Sequence, residues 1–208
     1  MCFEKVRWYF CILMETFNFI LELVAVVTGV VGVWYAKKEN ILVYPYGVIS
    51  VVIWVYLCLI GELYGQSIVN FFYFIMNVFG WYNWSRKKED QSNAVVITKN
   101  NAIQNLYTLI AIVVLSVLLY VVLANFQKIS EFDFVIALES LITAMNFVSM
   151  WLMAWKKLEN WLLWIIADIM CIPLFFDKAY YISVVQFAVF IVIAVLGYIE
   201  WKKQLVRS

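Results

Sequence analysis

Apolar residues occupy this chain in long unbroken blocks separated by short clusters of charge, with no sustained alternation of apolar and polar positions. A helix crossing the hydrocarbon core of a bilayer needs about 20 mostly apolar residues. Seven blocks meet that length: 17–36, 41–61, 63–85, 102–125, 134–155, 160–176 and 179–199. The pattern predicts an all-α integral membrane fold with seven transmembrane helices. A further apolar stretch at 6–14 is too short to span and carries no A-x-A-like cleavage site. It reads as an interfacial helix, so residues 1–16 are expected to form a separate surface segment.

Composition closes off the alternatives. Of 208 residues, 66% are hydrophobic, 19% aromatic and 14% charged, against about 45–50% apolar and about 25% charged in ordinary soluble domains. A disordered chain, a nucleic-acid module and a secreted disulfide scaffold are all excluded. The net charge of +1 gives no basis for a polyanionic partner, nucleic acid included. Cys2, Cys11, Cys58 and Cys171 are scattered without C-x-x-C spacing and read as small buried hydrophobes. Histidine is absent, which removes Ser-His and Cys-His nucleophile pairs, imidazole shuttles and histidine metal ligands. No G-x-x-x-x-G-K loop is present to cradle a triphosphate. The expectation is therefore a protein that is not an enzyme and that uses no cofactor and no metal. An embedded enzyme working with acids alone is the competing class, and a flux-free structural or receptor subunit is a third.

Lysine and arginine set the orientation. With seven spans, eleven of the 15 fall on one side (Lys37, Lys38, Arg86, Lys87, Lys88, Lys99, Lys156, Lys157, Lys202, Lys203 and Arg207). Lys5, Arg7, Lys128 and Lys178 fall on the other. The positive-inside rule then expects a cytoplasmic C-terminus and an external N-terminus.

Rare residue types expose a repeat that the common apolar ones would hide. At a constant offset of 117 residues, Glu22 meets Glu139, Trp34 meets Trp151, Tyr64 meets Tyr181, Gly80 meets Gly197 and Trp84 meets Trp201. Arg86 meets Lys203 just beyond. The first three spans correspond to the last three, with the fourth as a linker: a 3+1+3 plan, residues 17–91 and 128–208 as the halves and 92–127 between them. One linking span makes both triplets enter the membrane from the same side, giving a parallel repeat. Such repeats are a recurring transporter plan, with the substrate near the midplane where the halves meet.

Ionisable groups inside hydrocarbon cost about 2.5–3.5 kcal/mol on insertion scales and normally face a cavity or a partner. Glu22, Glu139 and Asp168 qualify, with no base at comparable depth. Glu22 and Glu139 lie near the outer ends of their spans, where tying helices together competes with a gating role; Asp168 is deeper and the better ligand candidate. On the third span Asn70, Tyr73, Asn77, Trp81 and Trp84 share one helical face, as do Asn160, Trp161, Trp164 and Asp168 on the sixth. The second span offers Ser50 and Trp54, and the seventh Ser183 and Gln186. Facing surfaces of indoles, amides and carboxylates suit a flat aromatic ligand with hydroxyl groups, and a positively charged ring most of all. Pro173, Gly47 and Gly61 are candidate points of give. Trp8, Trp34, Trp84, Trp151, Trp155 and Trp201 sit at span ends and are expected to form an interfacial belt.

The segments Asn77-Val-Phe-Gly-Trp-Tyr-Asn-Trp-Ser-Arg86 and Glu159-Asn-Trp-Leu-Leu-Trp164 are similar to the N-x-x-G-W-x-x-W and E-N-W-x-x-W blocks of the PnuC family of bacterial vitamin transporters. The likeness covers about residues 22–201. PnuC proteins themselves look like duplicated, full-length relatives of the SWEET sugar transporters. The resemblance implies facilitated uptake of nicotinamide riboside across the bacterial inner membrane, without ATP hydrolysis. It also implies trapping by a separate cytoplasmic kinase, and a homotrimer. Carried onto this chain, it marks Asn77, Gly80, Trp81, Asn160, Trp164 and Asp168 as site candidates, with Asn70 and Gln186 weaker. Thiamine and riboflavin, carried by relatives of the same fold, remain alternatives, as does ion coupling.

Overall fold

The computed structural model describes residues 2–61, 64–87, 92–177 and 181–207, with the side chains of 2–13, 64, 177, 182, 183 and 207 excepted. Seven helices follow in order: α1 (Cys2–Lys37), α2 (Val43–Ile60), α3 (Tyr64–Ser85), α4 (Ala102–Phe126), α5 (Phe134–Ala154), α6 (Glu159–Asp177) and α7 (Tyr181–Arg207). No strand occurs among the described residues, only isolated bridges such as Thr98 to Lys157. Ser183 and the α2–α3 corner at 62–63 lie outside the described side chains or residues.

Two expectations change in detail. Residues 2–16 are the start of α1, so the interfacial segment is not a separate element. At about 1.5 Å per residue, a 36-residue helix is far longer than the hydrocarbon core is thick. Among the described residues, six of the seven helices pass as membrane spans by length and composition. The exception is α3, whose apolar character is diluted by Gln66, Asn70, Asn77, Asn83, two glycines and two serines.

Local chemistry sets the helix ends. Asn101 caps α4 through a reciprocal box: its Oδ1 accepts from Gln104 N at 2.8 Å, and Gln104 Oε1 accepts from Asn101 N at 3.1 Å. Asp133 caps α5 through Ile136 N at 3.0 Å. Pro45 sits in the first turn of α2, where its missing N–H costs nothing. The C-termini of α1, α4 and α5 all close in the Schellman manner, with Glu39, Lys128 and Lys156 at φ of 55°, 57° and 50°. Pro173 lies inside α6, which runs on past it.

Helix packing forms two chains of neighbours: α1 against α2 and α2 against α3, then α5 against α6 and α6 against α7. The two groups join where α1 meets α7 and α3 meets α5, while α4, among the described residues, packs on no helix but α5. Small residues allow the close approach of α1 to α2. A Cβ on Gly32 would stand 3.4 Å from Val43 O, and Ser50 Oγ donates to Ala25 O at 2.8 Å.

The contacts repeat at the same 117-residue spacing as the rare residues. Trp84 Nε1 donates to Met153 O at 3.2 Å, and Trp201 Nε1 donates to Ala36 O at 3.1 Å. The Tyr44 ring stands edge-on to Trp84 at 5.1 Å and 86°, and the Trp161 ring to Trp201 at 5.4 Å and 86°. Gly80 admits the Tyr44 ring, and Gly197 admits Trp161. Gly80 is therefore a packing position, since a Cβ there would fall within 2.6 Å of the Tyr44 ring and hydroxyl.

This packing corrects the belt assignment for two tryptophans. Trp84 and Trp201 are 5% and 0% exposed and belong to the core cluster with Tyr44, Trp161, Ala36 and Met153. Their indole N–H groups have backbone carbonyls of the opposite helix group as partners, which an interfacial position would not provide. Trp34 and Trp151 are exposed at span ends, as expected of a belt. Cys58 and Cys171 are buried free thiols.

Candidate functional site

A cavity of about 250 Å³ lies between the two helix groups, bounded by α1, α2, α3, α5, α6 and α7. It is small beside typical ligand pockets of roughly 300–1,000 Å³, which suits a compact ligand. Seven pairs of residues 117 apart line it together, among them Gly29 with Asn146, Gly47 with Trp164, Val51 with Asp168, Tyr73 with Phe190 and Asn77 with Ala194. The cavity thus straddles the relation between the halves, yet its chemistry is one-sided. In four of the pairs (Gly29 with Asn146, Gly47 with Trp164, Val51 with Asp168 and Asn77 with Ala194) one member carries the polar or aromatic function and the other is small or apolar; Tyr73 adds a hydroxyl that Phe190 lacks.

Six of the polar and aromatic residues marked in the sequence meet here: Ser50, Tyr73, Asn77, Trp161, Trp164 and Asp168. Asp168, 7% exposed, is the lone ionisable carboxylate of the lining, and no lysine or arginine lines the cavity among the described residues. Asn77 Nδ2 donates back to Tyr73 O at 2.8 Å, which fixes the amide along α3 and turns its Oδ1 toward Gly47. A Cβ on Gly47 would collide with that oxygen, so only glycine leaves the amide in place. Tyr73 and Asn146 lie in hydrogen-bond contact through their side chains. Asn146 also lines the cavity, and its Oδ1 is buried without a hydrogen-bond partner among the described residues.

The other candidates are placed elsewhere. Asn160 is fully buried, and its amide donates to Lys157 O in the α5–α6 turn, where it holds the start of α6. Asn70 turns back to Gln66 O at 2.9 Å on its own helix. Trp81 is 42% exposed, and Trp54 and Gln186 are half-buried away from the lining. Glu22 is exposed on α1, Glu139 is half-buried on α5, and Pro173 is exposed on α6; none of the three lines the cavity. Asn146 escaped the sequence reading, although an amide inside an apolar run, the signal that marked Asn77, is present there too. No group of metal-ligating side chains occurs among the described residues.

A helical bundle of membrane-spanning length with a ligand-sized, acid-bearing cavity on the seam between two helix groups defines a polytopic membrane protein of the transporter type. The family model described as "Nicotinamide mononucleotide transporter" matches residues 19–203, and the chain belongs to that family. It is 26% identical over 205 residues to the "Nicotinamide riboside transporter PnuC" of Escherichia coli (strain K12), covering 87% of this chain and 84% of that one. The protein of the same name from Shigella flexneri matches equally well. The fold matches a solved structure titled "Crystal structure of the Vitamin B3 transporter PnuC". The TM-score is 0.71 at 24% identity, over 100% of this chain and 93% of that chain. The chain is thus a multi-pass protein of the bacterial inner membrane.

Proposed function

We propose that this protein moves nicotinamide riboside across the membrane through the seam cavity, and that the dephosphorylated nucleoside, rather than its mononucleotide, is the substrate. One observation carries the reading: the cavity pairs a buried carboxylate, Asp168, with an indole, Trp164, and no basic residue lines it. A cationic pyridinium gains Coulomb attraction from the acid and about 0.5–2 kcal/mol from a well-placed indole. A phosphate would face the carboxylate with no counter-charge. Asn77, Asn146 and Tyr73 supply the hydrogen bonds that a carboxamide and ribose hydroxyls need.

The finer architecture belongs to the same proposal. Seven spans in a 3+1+3 parallel repeat, with the N-terminus outside and the C-terminus in the cytoplasm, accord with the lysine and arginine distribution and with the contacts that recur at 117 residues. The two triplets rock about the seam, exposing the cavity to each side in turn, without ATP. By family resemblance, the assembly is a homotrimer and a separate cytoplasmic kinase traps the product. Calorimetric titration of the purified protein tests the substrate. Nicotinamide riboside is expected to bind at micromolar concentration or tighter, with the mononucleotide at least 100-fold weaker. Equal affinity for the mononucleotide, or heat from thiamine or riboflavin alone, overturns the substrate assignment. Uptake into proteoliposomes that requires ATP or an imposed ion gradient overturns the uncoupled mechanism.

A further inference from the structure

The cavity ends, at one side, on Ala36 and Met153, which are 117 residues apart and both line it. The carbonyls of these residues accept the indoles of Trp201 and Trp84 from across the seam. They also accept the backbone N–H groups of Glu39 and Lys156 at 3.0 Å each, closing α1 and α5 with the same turn. Glu39 and Lys156 are again 117 residues apart. Two copies of one turn therefore face each other at the end of the cavity, and the same position in each meets its counterpart.

A position that meets its own copy cannot carry the same charge twice without repulsion. Here it carries glutamate in one half and lysine in the other, with Nζ to Oε1 at 2.6 Å and the Lys156 side chain 4% and the Glu39 side chain 22% exposed. Lys156 Nζ also stands 4.6 Å from the Trp84 ring centroid. Both residues hold positive φ, where glycine is the usual occupant. A long charged side chain is thus retained at a strained backbone position in both halves, and backbone strain of this kind is a pointer to function.

We propose that Glu39 and Lys156 form a latch that closes this end of the cavity, and that parting them is a required step when the substrate leaves or enters on this side. The inference rests on the transporter reading for its purpose, though not for its geometry. The physics suits a latch. A part-buried ion pair is favourable while both partners are present, and each charge is well hydrated once the halves part. The net difference between closed and open is then small, whereas removing one partner leaves the other charge stranded in the closed form. The indole–carbonyl bonds beside it give the closed form its register.

The test uses the full chain with its four cysteines replaced by alanine and a reporter, Val33→Cys, on the cavity wall. Inside-out vesicles are treated with a membrane-impermeant thiol reagent. Glu39→Lys, which sets two lysines face to face, is expected to raise the labelling rate at least tenfold and to cut uptake at least tenfold. The exchange Glu39→Lys with Lys156→Glu is expected to return both to within threefold of the parent. Glu39→Gln, milder for folding, is expected to fall between. Unchanged labelling in Glu39→Lys, or an exchange that restores neither readout, overturns the latch. Should Glu39→Lys fail to fold, the exchange variant and Glu39→Gln decide the matter by the same labelling ratio. The labelling needs no substrate, so a wrong substrate assignment fails in the titration above and leaves this result standing.

Discussion

The packed end and the cavity treat the same repeat in opposite ways. At the packed end, mates do the same work. Trp84 and Trp201 each bond a carbonyl across the seam, Tyr44 and Trp161 each press on a glycine, and Glu39 and Lys156 complete one pair between them. In the cavity, mates diverge: Gly47 corresponds to Trp164, Val51 to Asp168, Asn77 to Ala194, and Gly29 to Asn146. Symmetry serves cohesion, because a contact that works once works again in the second half. Departure from symmetry suits recognition of the proposed substrate, because a ligand with a charged ring at one end and hydroxyls at the other is not itself two-fold.

The largest expected effect breaks the cohesive side. Trp201→Ala and Trp84→Ala each remove a buried indole and its hydrogen bond across the seam, and each is expected to cost about 3–5 kcal/mol of stability. Thermal unfolding in detergent would show it, with the two variants alike; unlike losses would mean that the two contacts are not equivalent. Next comes the recognition side. Asp168→Asn keeps the shape of the side chain and removes the charge, and is expected to weaken binding of nicotinamide riboside by about 10–100-fold. Trp164→Ala should weaken it by about 2–30-fold. Unfolding temperatures close to the parent in both variants would separate recognition from cohesion. The smallest effect sharpens the line between the two. Gly47→Ala displaces the tip of Asn77 and is expected to lower affinity a few-fold, with no further loss when combined with Asn77→Ala. Additive losses would mean that Gly47 acts otherwise than through that amide.

The helices were legible because block length alone separates a membrane span from other structure, and the repeat because tryptophan and glycine are rare enough to align by eye. What escaped was which faces meet. Asn70, Tyr73 and Asn77 share one stripe of α3, but only the latter two reach the cavity. Helical spacing groups residues on a face without saying how far along the helix the neighbouring wall extends. Trp84 and Trp201 stand beside basic clusters at span ends, which locally describes an interfacial belt. The partners that make them core, Met153 and Ala36, lie far away in sequence. Asn160 carries a family motif yet secures a turn, since its fully buried amide has the carbonyl of Lys157 within reach. Asn146 was missed because its mate, Gly29, gave the repeat nothing to align.

The isolation of α4, which among the described helices packs on α5 alone, suits the linker role that the proposed 3+1+3 plan gives it. A helix with a single neighbour can be gained or lost without reopening any other interface. Two three-helix chains made separately from one gene would insert in the same sense and pair across the seam as a dimer. Joining them end to end requires one added crossing to restore the direction of the second copy, and α4 has the minimal attachment that such a splice needs. On the proposed 3+1+3 plan, holding both halves in one polypeptide frees Gly47 and Trp164 from a shared codon, so that the cavity can carry two unlike walls.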